Sequence, residues 1–599
     1  MSIPTTSVIA LASSLVLAAC SDDAGGGRSG EPASSQATVP HPTVPHPTVP
    51  HPTAVELSAV ELGAPDTSAP DKILASMDLV EDYSEEVADR LIGFGDKLRR
   101  RDFGACEDWL SEDFIGHSIA GLPVGSAQPM PLETHGRVYD VSGATSVDRG
   151  GFLAAIKSHL GPWQRVDSAI WKVKAADFQA GARTWGRVRL RLTALGIDAR
   201  GGPASMVLWG HARAVKRGGE WTLNAFSLDS LTTTERAQAM FTDVSVPAGV
   251  AHAGIRFGQP GNTSFAWNGA ASGDVDGDGY FDLFVPSAPD HKLYVANRKD
   301  GYREEANERG LAGGGGTGAV FFDFDHDGDQ DLAVGDVGWK EADGTERGNR
   351  LRFYVNDGKG HFTESGKALG FNALCHAYTL TVLDVDADGY LDVFVCNYGR
   401  VDAAPNNSWV QATNGTPNAL YRNEGGKGFR EVAQEYGLID TGWTFAATAA
   451  DYDSDGDTDL YVANDYGRNS LWRNDGGTFK DVAAEEGVTD LGNGMGALFG
   501  DLNGDGLLDL YVANMSSTAG NRILRRLSEE SGTADLVKMA AGNSIFLRGE
   551  NGFHRLESSK GGIGASWAWS PAILDINLDG RLDLYCASGF VTGDTLEDT

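Results

Sequence analysis

Positive charge is scarce in this chain of 599 residues. Lys and Arg number 49 against 83 Asp and Glu, a formal net charge of −34, and that balance argues against nucleic acid as a partner. Cysteine is scarcer still. Cys20, Cys106, Cys375, Cys396 and Cys586 are all there is, and no two stand in C-x-x-C spacing, so no zinc or thioredoxin-like pattern is written here. After the first twenty residues no stretch approaches the ~18 uninterrupted apolar residues that a membrane-spanning helix needs. A nucleophile elbow, an H-E-x-x-H pair, a Cys/His arrangement and a glycine-rich phosphate loop are also missing. At this length one core is not enough, and two or more domains are expected.

What the chain has in abundance is one nine-residue phrase, D-x-[DN]-x-D-G-x-x-D, written six times and followed each time by an apolar run. The candidate metal ligands are Asp274, Asp276, Asp278 and Asp282 in the first copy, and Asp323, Asp325, Asp327 and Asp331 in the second. They continue as Asp384, Asp386, Asp388 and Asp392 in the third, and Asp451, Asp453, Asp455 and Asp459 in the fourth. The fifth offers Asp501, Asn503, Asp505 and Asp509, and the sixth Asp575, Asn577, Asp579 and Asp583. Oxygens at alternate positions around a Gly turn suit a hard, oxygen-seeking cation, Ca2+ before Mg2+ because the ligand set is rich and flexible. Like charges about 5 Å apart repel by roughly 3 kcal/mol per pair at an effective dielectric near 20, so four carboxylates without a cation carry on the order of 20 kcal/mol before screening. Up to six Ca2+ are expected, and much of the acidity is thus ligand. The loops are not EF-hands, which close with a Glu at the twelfth position and enter a helix. Here the twelfth positions are Val285, Val334, Val395, Val462, Val512 and Cys586, inside short β-branched and aromatic runs that read as strands.

The first twenty residues read as a targeting segment. The apolar stretch Val8 to Ala19 ends in Leu17-Ala18-Ala19-Cys20, which resembles a bacterial lipoprotein lipobox, although no Lys or Arg precedes it. The resemblance implies lipidation of Cys20 and a membrane-anchored protein of the bacterial cell envelope, at the outer membrane or cell surface. Residues 21–72 are rich in Pro, Gly and Ser, with Thr-Val-Pro-His-Pro written three times, and read as an extended tether. Its His41, His46 and His51 could also bind a transition metal weakly.

Residues 73–236 read as an α+β domain. Apolar positions at helical spacing over 73–101 end in Arg99-Arg100-Arg101. A short helix is expected near 103–110 and another over 151–160. Alternating stretches over 182–195, 205–216 and 220–231 follow, with Arg217-Gly218-Gly219 as a hairpin turn. Helices first and then long strands, with Trp209-Gly-His-Ala-Arg and Trp221, resemble the SnoaL-like cone. Such cones can enclose catalytic pockets, and His117, Asp167 and His211 are the candidate polar groups.

Residues 237–599 are repetitive, the loops starting 49, 61, 67, 50 and 74 residues apart. Each unit offers a small-residue strand into the loop, a strand such as Asp459-Leu-Tyr-Val462, a third such as Asn418-Ala-Leu-Tyr-Arg-Asn423, and an aromatic-led fourth such as Phe479-Lys-Asp-Val482. Four antiparallel strands per repeat make a propeller blade. An aromatic precedes a Gly by eight residues at Tyr302/Gly310, Phe362/Gly370, Phe429/Gly437, Phe479/Gly487 and Phe553/Gly561, and once before any loop at Phe241/Gly249. That orphan is expected to be an outer strand that closes the ring.

These segments resemble FG-GAP/VCBS repeats of the cartilage acidic protein-like, ASPIC/UnbV branch. The resemblance implies a calcium-binding β-propeller of six to seven blades, and the missing third strand after the sixth loop points to a ring incomplete at the C-terminus. Trp267, Trp443 and Trp567 (with Trp569) fall at the start of inner strands, where a ligand face for a glycan or protein is expected. The reading is an adhesion or ligand-binding module; an extracytoplasmic enzyme acting on polysaccharide, or one with its chemistry in the cone, is the alternative.

Overall fold

The computed structural model describes residues 70–588 apart from 131–133, 180–183, 252–268, 288–289, 298–300, 338, 341–345, 348–349, 401–405, 409–410, 517–538, 540 and 557–567. The expected targeting segment with Cys20, the expected tether up to residue 69 with its three histidines, Trp267 and Trp567 therefore lie outside the described residues, and residues 70–72 belong to a helix. The chain divides into two compact units, one ending at Phe241 and the other starting at Thr242.

The first unit opens with helix α1 (Pro70–Arg99), which turns Val87, Leu91, Phe94 and Leu98 inward. The short helix expected near 103–110 is a single 3-10 turn, Ala105–Trp109. Strands β1 (Leu110–His117), β2 (Val124–Met130), β3 (Thr134–Tyr139) and β4 (Ser146–Asp148) come next, then α2 (Arg149–Leu160). The Asp148 side chain caps α2 by accepting from Gly151 N at 2.8 Å. The long strands are β5 (Arg165–Phe178), β6 (Trp185–Ile197), β7 (Pro203–Arg217) and β8 (Glu220–Arg236). Sheet order is β2-β3-β8-β7-β6-β5, with β1 parallel to β8 and antiparallel to β4. Period-two alternation sorts these strands: Leu190, Leu192, Leu208 and Phe226 join the helices in one core, and the intervening residues face the other way. At the β7–β8 turn Gly218 and Gly219 have φ of 62° and 92°, the left-handed pair that a two-residue hairpin requires.

In the second unit five four-stranded antiparallel sheets follow one another, each formed by consecutive strands meandering in order apart from a small extra hairpin in the second repeat. A sixth sheet holds two strands, Ala568–Leu574 and Asp583–Ser588, among the described residues. The fourth repeat serves as the pattern: Trp443–Ala450, Asp459–Tyr466, Ser470–Asn474 and Phe479–Asp481. Each acidic loop joins a first strand to a second, and the ninth-position Asp opens the second.

No sheet owns a core. Phe322, Phe324 and Phe353 of the second sheet share one cluster with Val382, Val393 and Phe429 of the third. The same holds for the other adjacent pairs from first to sixth. First strands lie side by side: Thr379 Oγ1 donates to Phe445 O and Thr381 Oγ1 to Ala447 O, both at 2.9 Å. A Cβ at Gly318 would sit 2.6 Å from Tyr378 O, and one at Gly496 2.4 Å from Pro571 Cδ. The small residues of first strands thus admit the next first strand.

The aromatic-to-glycine interval also has a physical cause. The fourth-strand aromatic N–H donates to the carbonyl just before the preceding repeat's glycine: Phe362 to Arg309, Phe479 to Tyr436 and Phe553 to Glu486, at 2.8–2.9 Å. The glycine itself, at φ near 80°, leaves room for that aromatic's own carbonyl. Gly249 packs against Tyr302 O in the same way, so the orphan interval does precede the first repeat as a repeat end would. The expected outer strand at 241–244 is not formed, however, and Phe241 is 61% exposed. A strand exists only against a partner, and the sixth sheet presents no third strand among the described residues for it to join.

Candidate metal centre

All six loops share one hydrogen-bond scheme, built from backbone donors and two of the acidic positions. The first Asp accepts twice. Asp274 Oδ1 takes Asp278 N at 3.0 Å and Oδ2 takes Gly279 N at 2.9 Å, and the other loops repeat the pattern with small shifts. The ninth Asp accepts from two directions. Asp392 Oδ2 takes Val385 N of its own loop at 2.8 Å, and Oδ1 takes Asn423 N of the third strand at 2.7 Å. Asp282, Asp331, Asp459 and Asp509 do the same with Ala296, Asn356, Asn474 and Arg548. This carboxylate is therefore a staple between loop and third strand as well as a ligand candidate, a role that its spacing alone did not reveal. Burial raises these groups, Asp282 to about 6 and Asp331, Asp392 and Asp459 to about 7.

Two loop positions are left-handed. The sixth is Gly throughout, at φ of 81–98°. The fourth is also left-handed, but is Gly277 and Gly504 in two loops and His326, Ala387, Ser454 and Leu578 in the others, at φ of 55–65°. A side chain there costs roughly 1–2 kcal/mol, which the D-x-[DN]-x-D grammar hides.

In four loops the carboxylates converge. Asp274, Asp276 and Asp282 bring one oxygen each within 4.8 Å of one another, as do Asp323, Asp325 and Asp327, Asp384, Asp386 and Asp392, and Asp451, Asp453 and Asp459. The fifth-position residues Asp278, Asp388 and Asp455 stand outside these groups, each with Oδ1 accepting a backbone N–H two residues on. Loops five and six form no such group among the described residues. There the Asn503 amide donates to Asp505, and Asn577 to Asp579, at 2.9 Å.

Several oxygens in these loops are buried without a hydrogen-bond partner, namely Asp276 Oδ1, Asp329 Oδ1 and Asp453 Oδ1. A buried, unbonded carboxylate oxygen is costly, and a cation satisfies it. The residues fit a Ca2+-type ion, with Asp329, at the seventh position, an acidic neighbour that the motif did not single out. Arg309 approaches Asp276 at 3.2 Å and Arg422 approaches Asp386 at 3.6 Å, offsetting part of the like-charge repulsion.

A second recurrent device joins the repeats. The last Asn of each third strand reaches back to the loop before. Asn356 Nδ2 donates to Val275 O at 2.8 Å, Asn423 Nδ2 to Phe324 O at 2.8 Å and Asn474 Nδ2 to Val385 O at 3.0 Å. In the fifth repeat the Arg548 guanidinium donates to Tyr452 O. The first repeat has Ala296 at this position.

The expected aromatic ligand face is corrected at Trp443. It is 1% exposed, boxed by Tyr398 and Tyr466, with Nε1 donating to Asn414 Oδ1 at 3.0 Å. The insertion after Tyr398 folds over the start of this strand, and a Cβ at Gly399 would lie 2.2 Å from the indole. Trp443 is core.

The three polar candidates of the first unit do not assemble. His117 is buried, its Nδ1 accepting from Leu228 N at 3.3 Å and its pKa lowered by burial. Asp167 pairs with Arg165 at 2.6 Å, and His211 bonds Asp229 at 2.9 Å. Cys106, Cys375, Cys396 and Cys586 are unpaired thiols.

Residues 274–334, 342–395, 408–462 and 451–512 match the FG-GAP-like repeat family, so the chain carries FG-GAP-like repeats over 274–512. No curated protein matches the chain. Among solved structures, an NTF2-like protein of unknown function from Shewanella baltica shares 11% identity, covering 25% of this chain and 94% of its own, at a TM-score of 0.17. An NTF2-like protein with a cystatin-like fold from Novosphingobium aromaticivorans shares 12%, covering 27% and 90%, at 0.18. LinA shares 13%, covering 28% and 99%, at 0.20.

Proposed function

We propose that this FG-GAP-like repeat chain is a calcium-binding β-propeller of six to seven blades, exported, anchored through a lipid on Cys20, and acting as an adhesion or ligand-binding module of the bacterial cell envelope. The observation that carries the calcium reading is the convergence of three carboxylates within 4.8 Å in each of four loops, with a buried carboxylate oxygen left unbonded in the first, second and fourth. Asp274, Asp276 and Asp282 would hold one ion, and the corresponding triads of loops two to four would hold three more. The first-position Asp is already oriented by backbone N–H donors, so little side-chain freedom remains for an ion to freeze. The ion's chemistry is structural: it cancels charge and fixes the turn between first and second strands.

The shared cores and contiguous first strands support a ring, since each sheet finds half its core in the next. Extracytoplasmic Ca2+ is plentiful, which suits several sites of moderate affinity. Binding only to the folded state stabilises it by about 2.7 kcal/mol per site at a hundredfold excess over Kd. Chelator is expected to lower the melting temperature of the repeat unit steeply and leave that of the first unit in place. A repeat transition that ignores excess chelator sinks the calcium reading.

A further inference from the structure

The first unit has a sheet face that no helix covers among the described residues. Its core side is lined by Val188, Leu190, Leu192 and their neighbours. Its other side carries Arg187, Arg189 and Arg191 of β6, Lys172 of β5, and Trp209, His211 and Arg213 of β7, all half-buried or exposed. The register opposes like charges. Arg187 faces Arg213, and Arg191 faces Lys172. Such pairs are destabilising when nothing lies between them. Among the described residues the carboxylates set against these cations are Asp177, opposite Arg187, and Asp229, which holds His211 at 2.9 Å and Arg189 at 3.7 Å.

The cluster of Arg187, Arg189, Arg191, Arg213 and Lys172 is a local reversal in a chain of net charge −34. The guanidiniums lie over indoles, Arg189 and Arg191 over Trp209 at 4.9 and 5.7 Å and Arg213 over Trp185 at 4.6 Å. Nearness to an indole restricts the planar fork; Nε of Arg191 and Arg213 is buried without a hydrogen-bond partner, so the terminal guanidinium nitrogens are the donors left for a ligand on this face. Donors preset in this way suit carboxylate or sulfate oxygens.

We propose that this face binds a linear anionic polysaccharide, which deepens the ligand-binding reading above and rests on it for the role, not for the calcium. An open sheet face cannot enclose a small ion, and its separate contacts are weak and screened. A polymer laid across cations repeated about every 4.8 Å between strands and about 6.8 Å along them gains by multivalency. A second copy of this chain is the wrong occupant, because face-to-face pairing would set cation on cation. Single-stranded nucleic acid is disfavoured because it gains from stacking its bases on open aromatic faces, and both indoles here already have arginines over them. An anionic membrane is disfavoured because both indoles are tied beneath arginines and not free to insert.

The test uses the full chain with hyaluronate and dextran sulfate as probes, neutral dextran as control, and single-stranded DNA and phosphatidylglycerol vesicles as rivals. We expect salt-sensitive binding to at least one anionic glycan, none to neutral dextran, and about tenfold weakening in R187Q/R191Q/R213Q. Melting of the first unit should hold or rise in that variant, because the opposed charges are gone. If melting falls instead, R187K/R191K/R213K decides: retained glycan binding supports the proposal, and lost binding overturns it. Absence of glycan binding in the unaltered chain, binding confined to DNA or vesicles, or an unweakened triple glutamine variant each overturns it. Glycan binding that survives chelator separates this surface from the calcium loops, so either reading can fail alone.

Discussion

Replacing Asn423 tests whether the repeats are joined as the geometry says. Its side chain is 1% exposed and makes three hydrogen bonds. Nδ2 donates to Phe324 O at 2.8 Å in the preceding loop and to Leu391 O at 3.3 Å in its own, while Oδ1 accepts from Gly426 N at 2.8 Å. Asn423→Ala strands two carbonyls and one N–H. At about 1 kcal/mol per lost bond, with some added desolvation cost, the repeat unit should lose about 3 kcal/mol. Asn423→Asp keeps the volume and the acceptor but turns a carboxylate oxygen onto two carbonyls, and should be no better than Ala. A thermal scan of the calcium-loaded chain should show the repeat transition about 4 °C lower and the first-unit transition unmoved. Asn356→Ala and Asn474→Ala should cost similar amounts, since they make the same backward bond. A shift within about 1 °C, or one shared by both units, refutes the joint.

Three further outcomes are expected. Ala387→Gly relieves a left-handed φ of 55° and should stabilise the third loop by up to about 1 kcal/mol after the entropy cost of glycine, readable as a higher melting point in chelator. Calcium titration should fill loops one to four before five and six, where Asn503 and Asn577 replace a carboxylate and engage Asp505 and Asp579, and site-by-site Asp→Asn variants would show a different order if this is wrong. Cys20→Ser should release the protein from the membrane fraction or block its processing, and a variant that stays bound and matures normally removes lipidation as the anchor.

The chemistry-bearing parts of the fold were legible where the chain repeats itself. Asp, Asn and Gly at fixed spacing announce the loop, and the β-branched run after Asp459 announces its strand, because both are local. What stayed hidden is contact between segments. Nothing near Asn423 says that it binds the loop a repeat earlier, and nothing near Ala387 says that its φ is positive. Trp443 looked like a platform since its burial comes from the insertion following Tyr398, dozens of residues before it. Asp392 read as a ligand, and its second task, stapling the third strand, needs the strand in place to be visible. The cationic face of β6 and β7 escaped because alternation shows which residues share a side but not which cations stand opposite.

The latch between repeats points one way, from a third-strand side chain to the loop of the repeat before it. A latch built so is the same at each interior joint and carries no mark that tells one interior repeat from the next. Duplicating or deleting one whole unit between two equivalent loop positions recreates the same joint on both sides of the scar. The interior latches therefore do not set the number of repeats, which falls instead to the first repeat, bearing Ala296 in place of the latch, and to closure of the proposed ring.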